Sequence, residues 1–336
     1  MKLVIPMAGR GTRVRPHSHV TPKPLINVCG KSMIARLVDT FARVLPGTID
    51  EGVFVLGPDF GQSVRDQLTD ICSARGMKAQ FAVQETALGT GHAVYAAHEF
   101  LSGDGIVVFA DTLFDMEPLD SIGDADVVAW VKHVNDPSRF GVAVREGDNI
   151  TAFVEKPQEL ISNEALIGIY YVRDLAVLDA AIKHLLDNDI TGVGGEYQLT
   201  DAMDFMLKDG RVFHTASVTE WLDCGTIPAL LETTLVILEK ENGANAARPA
   251  DATVERSTII PPVFLGSGAQ ISDSVVGPHV SVEAGASISR SVLKDSIVFA
   301  GASVQNVVLS GSLVGRDAEI APEPDRLNVG DHSTVG

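Results

Sequence analysis

The chain has 336 residues, 45% of them apolar, and a formal net charge of −18. That length suits one large domain and a smaller one, with apolar content enough for a packed core. The acidic balance argues against nucleic acid or an anionic membrane as partner, and no run approaches the 18 consecutive apolar residues of a membrane span.

The first apolar run, residues 3–7, is too short for a signal peptide and reads as a strand. It leads into Gly9-Arg10-Gly11-Thr12-Arg13-Val14-Arg15-Pro16 and then Pro22-Lys23-Pro24-Leu25. The first 38 residues carry seven basic side chains and no acidic one. A glycine turn beside Arg and Lys offers close backbone N–H groups and cations, which is what a nucleoside triphosphate needs. Arg10, Arg15 and Lys31 add to the local field without a defined contact. Further strands are expected at 52–56, 79–83, 105–110 and 127–131, with helices at 32–44, 61–74 and 91–100 between them. This alternation predicts an α/β fold, a mostly parallel doubly wound sheet with helices on both faces. Such sheets hold ligands in loops at the carboxyl ends of strands, where both the glycine turn and Asp111 fall. Cys29, Cys72 and Cys224 have no metal-type spacing and fit small apolar packing in a reducing cytoplasm.

Residues 229–241 read as a closing helix and 242–250 as a linker. Beyond it aliphatic residues recur every five or six positions: Val254, Ile260, Leu265, Ile271, Val276, Val282, Ile288, Leu293, Val298, Val304, Leu309, Val314 and Ile320. Gly, Ala and Ser fill the gaps. That period is the repeat of a small left-handed parallel β-helix, three steps per coil, about four coils in all. An antiparallel sandwich would alternate with period two. The run Ala-Pro-Glu-Pro-Asp after Ile320 reads as a cap or tail.

The glycine turn lacks the Gly-Lys-Ser/Thr of a P-loop, and Val14 stands where a dinucleotide fingerprint needs its third glycine. Taken with Gly30-Lys-Ser-Met33, it resembles the signature of the sugar-1-phosphate nucleotidylyltransferases. Later motifs fall in that family's order: Gln84-Glu-Thr-Ala-Leu-Gly-Thr-Gly-His-Ala93, Phe109-Ala-Asp-Thr-Leu-Phe114, Phe140-Gly-Val-Ala143, Glu155-Lys-Pro157, Gly195-Glu-Tyr-Gln-Leu-Thr-Asp201 and Trp221-Leu-Asp-Cys-Gly-Thr226. The resemblance covers nearly the whole chain. It implies a Rossmann-like nucleotidyltransferase catalytic domain at 1–241, the linker, and a hexapeptide-type β-helix with its tail at 251–336.

The resemblance implies a reaction in which a sugar-1-phosphate oxygen attacks the α-phosphorus of a nucleoside triphosphate and pyrophosphate leaves. Such an enzyme holds two polyanions together and neutralises the transition state, with Mg²⁺ on one or two carboxylates. Asp111 and Asp223 match the family's metal carboxylates. Arg13 and Lys23 match triphosphate-binding positions, with Ala8, Gly9, Gly11 and Thr12 on the turn. Lys156 falls near the sugar phosphate and α-phosphate. Glu155, Gly141, Leu166 and Glu196 match sugar-side positions. Gln84 and Gly89 match positions that read a pyrimidine, dTTP or UTP. His17, His19 and His92 read as structural or loop residues.

Enzymes that make UDP-N-acetylglucosamine have Asn at the position of Leu166. An apolar residue there resembles the thymidylyltransferases acting on glucose-1-phosphate. The β-helix, with His279 the one histidine of residues 251–320, is expected to serve as a scaffold for a homo-oligomer. Two alternatives remain: a non-catalytic nucleotide-sugar-binding regulatory subunit, and an N-acetylglucosamine-1-phosphate uridylyltransferase with an added acyltransferase activity.

Overall fold

A computed structural model describes residues 1–9, 11–147, 149–243 and 246–323. Arg10 and most of the expected tail lie outside the described residues. In chain order the elements are β1 (Lys2–Pro6), β2 (Asn27–Val28), β3 (Lys31–Ser32), α1 (Met33–Val44), β4 (Glu51–Leu56), α2 (Gln62–Ser73), β5 (Lys78–Val83), α3 (Thr90–Tyr95), β6 (Gly105–Val108), β7 (Thr112–Asp115), β8 (Val127–His133), β9 (Gly141–Glu146), β10 (Asn149–Glu155), β11 (Glu164–Val172), α4 (Leu175–Asp187), α5 (Leu199–Lys208), β12 (Phe213–Ser217), β13 (Glu220–Asp223) and α6 (Ile227–Glu241). Short β-helix strands follow. The chain divides into two compact units: 1–26 with 32–225, and 27–31 with the residues from 226 onward.

The first unit is built on a nine-stranded sheet in the order β5-β4-β1-β6-β11-β8-β12-β10-β9. Strands β5, β4, β1 and β6 are parallel neighbours. Leu3, Val4 and Ile5 of β1 are fully buried, as expected of a central strand covered on both faces. Strand β11 enters antiparallel between β6 and β8, while β12 lies parallel to β8. Helix starts follow local chemistry. Ser32 Oγ accepts from Ala35 N at 3.2 Å to cap α1, and Asp174 Oδ1 accepts from Ala176 N at 3.0 Å to cap α4.

The helix expected at 91–100 is shorter than its sequence pattern. It ends at Tyr95, and a 3₁₀ turn takes His98–Phe100. Ala97 N donates to Val94 O, three residues back, so the chain tightens there and carries Ala97 and Leu101 into the core.

The second unit contains a three-sided parallel β-helix made of two five-stranded sheets and one of four. Ile271, Ile288, Val304 and Ile320 stack in register along one side, and Leu265, Val282, Val298 and Val314 along another. One expected inward position is corrected. Ile260 is 41% exposed, whereas Ile259 packs on the core and pairs with Val276. The five-residue step falls between Val254 and Ile259, and Ile260 turns outward just before Pro261-Pro262.

Within this unit the turn Cys29-Gly30 has φ of 49° and 80°. A Cβ at Gly30 would stand 2.3 Å from the Phe264 ring, so the close approach requires glycine. Glu283, 2% exposed, accepts from Gly30 N at 3.0 Å, Asn27 Nδ2 at 3.1 Å and Ser281 Oγ at 3.0 Å. Three donors replace the water its carboxylate loses on burial.

Candidate active site

Parallel strands β5, β4, β1 and β6 deliver their carboxyl ends to one edge of the sheet. Gln84 follows β5, Ala8 and Gly9 follow β1, and Asp111 follows β6. Backbone bonds tie these ends together: Met7 N donates to Val55 O and Gln84 N to Leu56 O, each at 2.9 Å. Strand order reverses direction beside β1, the place where open α/β sheets leave a crevice.

In the first loop Gly11 takes the left-handed conformation, φ 55°, and leads into the 3₁₀ turn Thr12–Val14. A Cβ there would stand 2.8 Å from Lys23 Cβ. Ser18 Oγ donates to Gly11 O at 2.6 Å and pins the turn. At Gly9 nothing among the described residues opposes a side chain, so packing against them does not explain its glycine. Thr12 and Arg13 are exposed. Lys23 differs: its side chain is only 8% exposed, and Nζ lies 3.6 Å from Asp111 Oδ2.

The backbones that carry the two candidate metal carboxylates are joined by a two-stranded ribbon. Strand β7 starts just after Asp111, and β13 ends on Asp223. They pair antiparallel, with Asp223 opposite Thr112 and Trp221 opposite Phe114. Cys224 N donates to Asp111 O at 3.0 Å, and Gly225 N to Asp223 Oδ1 at 2.6 Å. Among the described residues no group of three His, Cys, Asp or Glu side chains could hold a metal. Two carboxylates alone suit a hard cation that completes its shell with water and phosphate oxygens. They do not suit zinc, which takes three or four protein ligands.

Gln84 is 7% exposed. Its Nε2 lies 3.3 Å from Gly89 O and 3.0 Å from His92 Nδ1. Gly89 has φ 118°, and a Cβ there would stand 2.5 Å from Tyr197 O. Tyr197 N donates to Leu88 O at 2.9 Å and Gly91 N to Tyr197 O at 2.8 Å, which fixes the loop. Glu196 is exposed, accepts from Gln198 Nε2 at 3.1 Å, and lies beside Gly89.

Gly141 pairs with Glu155 across β9 and β10. A Cβ at Gly141 would stand 2.8 Å from Glu155 Oε2, 3.1 Å from Leu166 Cδ1 and 3.7 Å from Thr200 Cγ2, so these four residues form one cluster. Leu166 is buried in the hydrophobic core of this unit. Lys156, φ 45°, donates its N–H to Phe140 O at 3.1 Å, and its Nζ lies 3.6 Å from Glu155 Oε1.

A family model described as nucleotidyl transferase matches residues 2–240. The chain belongs to the nucleotidyl transferase family. A second model, described as GlmU-like C-terminal hexapeptide, matches residues 244–323, in agreement with the left-handed β-helix read from the repeat. The chain is 29% identical to a glucose-1-phosphate thymidylyltransferase of Streptomyces antibioticus, covering 100% of this chain and 99% of that protein. It is 28% identical to the low-salt glycan biosynthesis nucleotidyltransferase Agl11 of Haloferax volcanii, covering 100% and 99%. Among solved structures, UDP-glucose pyrophosphorylase complexed with UDP-glucose aligns at a TM-score of 0.58 and 22% identity, over 71% of this chain and 99% of that one, a likeness of fold. The resemblance drawn from the motifs holds, and the protein is an enzyme of the sugar-1-phosphate nucleotidyltransferase type.

Three polar atoms within the quoted motifs of this nucleotidyl transferase stand out by their burial. Trp221 Nε1, Thr200 Oγ1 and Asp201 Oδ2 are buried without a hydrogen-bond partner among the described residues. Trp221 stands edge-on to Phe140, ring centroids 5.0 Å apart. Burial, then the charges of Glu155 and Asp204, push the Asp201 carboxyl above its ordinary range. Burial and then Glu155 likewise raise Tyr170. No helix of the described residues is long and apolar enough to cross a membrane.

Proposed function

We propose that this enzyme joins a hexose-1-phosphate, most directly glucose-1-phosphate, to the nucleotidyl group of dTTP or UTP. One observation supports the reading: the β7–β13 ribbon sets the backbone of Asp223 next to that of Asp111, with Cys224 N donating to Asp111 O at 3.0 Å, and Lys23 Nζ lies 3.6 Å from Asp111 Oδ2. In the reaction an oxygen of the sugar phosphate bonds to the α-phosphorus. The bond from that phosphorus to the bridging oxygen breaks, and its electron pair leaves with pyrophosphate. No side-chain nucleophile is needed, because phosphate is already anionic at neutral pH. Catalysis is therefore positioning and charge neutralisation.

Asp111 and Asp223 would hold Mg²⁺, whose contribution when bound is to offset phosphate charge. Lys23, at the end of its ion pair with Asp111, and exposed Arg13 would bind the triphosphate. Backbone groups of Ala8, Gly9, Gly11 and Thr12 would line it. Lys156 would neutralise the sugar phosphate and α-phosphate. Glu155 would accept sugar hydroxyls, Gly141 would let the sugar approach, and Leu166 would bar an amide-specific contact. Glu196, beside Gly89, would approach the sugar from the nucleotide side. The names of full-length relatives support glucose-1-phosphate. A cytoplasmic location and a homo-oligomer assembled through the β-helix complete the proposal. Val275, Val292 and Val308 stack on one outer face of the coil, with Val308 80% exposed, which supports self-association.

The test is pyrophosphate release with Mg²⁺ across dTTP, UTP, CTP, GTP and ATP against glucose-, N-acetylglucosamine- and mannose-1-phosphate. Turnover is expected with a pyrimidine triphosphate and glucose-1-phosphate. Preference for another sugar would overturn the role given to Leu166. As a companion test, Leu166→Asn should shift preference towards N-acetylglucosamine-1-phosphate by roughly tenfold, the worth of one to two hydrogen bonds; an unmoved ratio would remove Leu166 from the sugar site.

A further inference from the structure

The base-side loop holds a histidine that the proposed chemistry does not use. His92 Nδ1 lies 3.0 Å from Gln84 Nε2, and the same Nε2 lies 3.3 Å from Gly89 O. A carbonyl can only accept, so the amide nitrogen must face Gly89 and the amide oxygen must face away. Both amide hydrogens are then committed, one to Gly89 O and one to His92 Nδ1. For Nδ1 to accept, the ring must be neutral with its proton on Nε2. Burial lowers the His92 pKa, which favours the neutral ring.

The Gly89 carbonyl is itself held, because Ala93 N donates to it at 3.0 Å and its glycine cannot carry a side chain against Tyr197 O. Among the described residues, two groups of this constellation keep no partner: Gln84 Oε1, an acceptor, and Gly89 N–H, a donor.

We infer that His92 is a positioning residue for base specificity. It holds the Gln84 amide in the orientation that leaves Oε1 as an acceptor, and this acceptor together with the Gly89 N–H donor matches an N–H flanked by a carbonyl. This rests on the reading that the site takes a nucleoside triphosphate. Uracil and thymine carry that imide edge at N3–H. Cytosine offers a bare N3 acceptor there, which would meet the lone pairs of Gln84 Oε1. Guanine carries the same donor–acceptor edge on a larger ring, so GTP belongs among the competitors. Without the Nδ1 acceptor the amide loses one of its two anchors and can turn its NH₂ towards the base, which admits cytosine.

The experiment compares the full-length wild type with His92→Leu and His92→Asn in steady-state kinetics with UTP, dTTP, CTP and GTP. Asn places an amide oxygen close to where Nδ1 stands. Leu should raise KM for UTP and dTTP about tenfold, the scale of one hydrogen bond at a reading group. It should change kcat by no more than about twofold, and the preference over CTP should shrink about tenfold on the same scale. Asn should recover most of the KM and of the CTP discrimination. Unchanged KM and discrimination in a folded Leu variant, or an Asn variant as impaired as Leu, would overturn the assignment while leaving the enzyme reading intact. No turnover of any triphosphate by the wild type would overturn both. Should His92→Leu fail to fold, ¹⁵N shifts of the wild-type ring decide: a proton on Nε2 alone supports the assignment, and a proton on Nδ1 overturns it.

Discussion

The two units treat buried polar atoms in opposite ways. In the β-helix, corner serines form a ladder. Ser257 Oγ accepts from Ser274 N, Ser274 Oγ from Ser291 N, and Ser291 Oγ from Val307 N, at 3.0, 3.1 and 3.3 Å. The Ser274 and Ser291 hydroxyls also donate to a carbonyl two residues back. Even the buried Glu283 is saturated. In the sheet unit, Asp179 Oδ1, Thr200 Oγ1, Asp201 Oδ2 and Trp221 Nε1 are buried without a partner among the described residues. A satisfied ladder lowers the energy of one rigid arrangement. Unpartnered atoms raise the energy of the free protein and are expected where a ligand supplies the missing partner. The β-helix therefore pairs its corner polar groups, and the sheet unit keeps four buried polar atoms without a partner among the described residues.

The largest effects that bear on this contrast are expected at the carboxylates. Asp111→Asn or Asp223→Asn should lower kcat about 10²–10³-fold, the scale of losing one charge-stabilising group in a reaction centre. Thermal denaturation should move little for Asp223→Asn, whose residue is exposed, and more for Asp111→Asn, which leaves the buried Lys23 cation without its carboxylate. In the opposite unit, Ile288→Ala, at a position 1% exposed, should cost about 2–5 kcal/mol of stability through the cavity it leaves, with KM for the triphosphate unchanged. A kinetic change as large as the stability change would blur the division.

A smaller effect is expected from Asp201→Asn. The folded-state pKa of Asp201 is raised, mainly by burial, so its ionisation destabilises the fold as pH rises through and above the ordinary carboxylate range. The variant should gain Tm relative to wild type at pH 7, and the gain should vanish near pH 3, where both states of the wild type are protonated. Equal Tm differences at both pH values would show that the Asp201 charge is not the cause.

Much of this was legible in the residues, and for identifiable reasons. The β-helix repeats one packing problem in every coil, so its aliphatic period survives in the sequence. The one-residue slip between Ile260 and Ile259 arose because five- and six-residue steps alternate irregularly. The parallel strands β1, β4, β5 and β6 are short apolar runs with turn signals between them. Strand β11 escaped that reading, since its antiparallel insertion is decided by pairing far along the chain. Asp111 and Asp223 could be named from motifs, yet their proximity depends on the β7–β13 ribbon, which no local pattern announces. The sequence alone makes His92 a structural or loop residue, because its partner Gln84 lies eight residues back across a non-helical turn, a spacing without a sequence signature.

The most direct measurement is the stoichiometry of products from the wild-type enzyme with Mg²⁺, a pyrimidine triphosphate and glucose-1-phosphate. Pyrophosphate and the nucleoside-diphosphate hexose should form in equal amounts, with no orthophosphate and no nucleoside monophosphate. Pyrophosphate accompanied by nucleoside monophosphate would mean that water, not the sugar phosphate, attacks the α-phosphorus, and would contradict the account of a site built to hold two polyanions together.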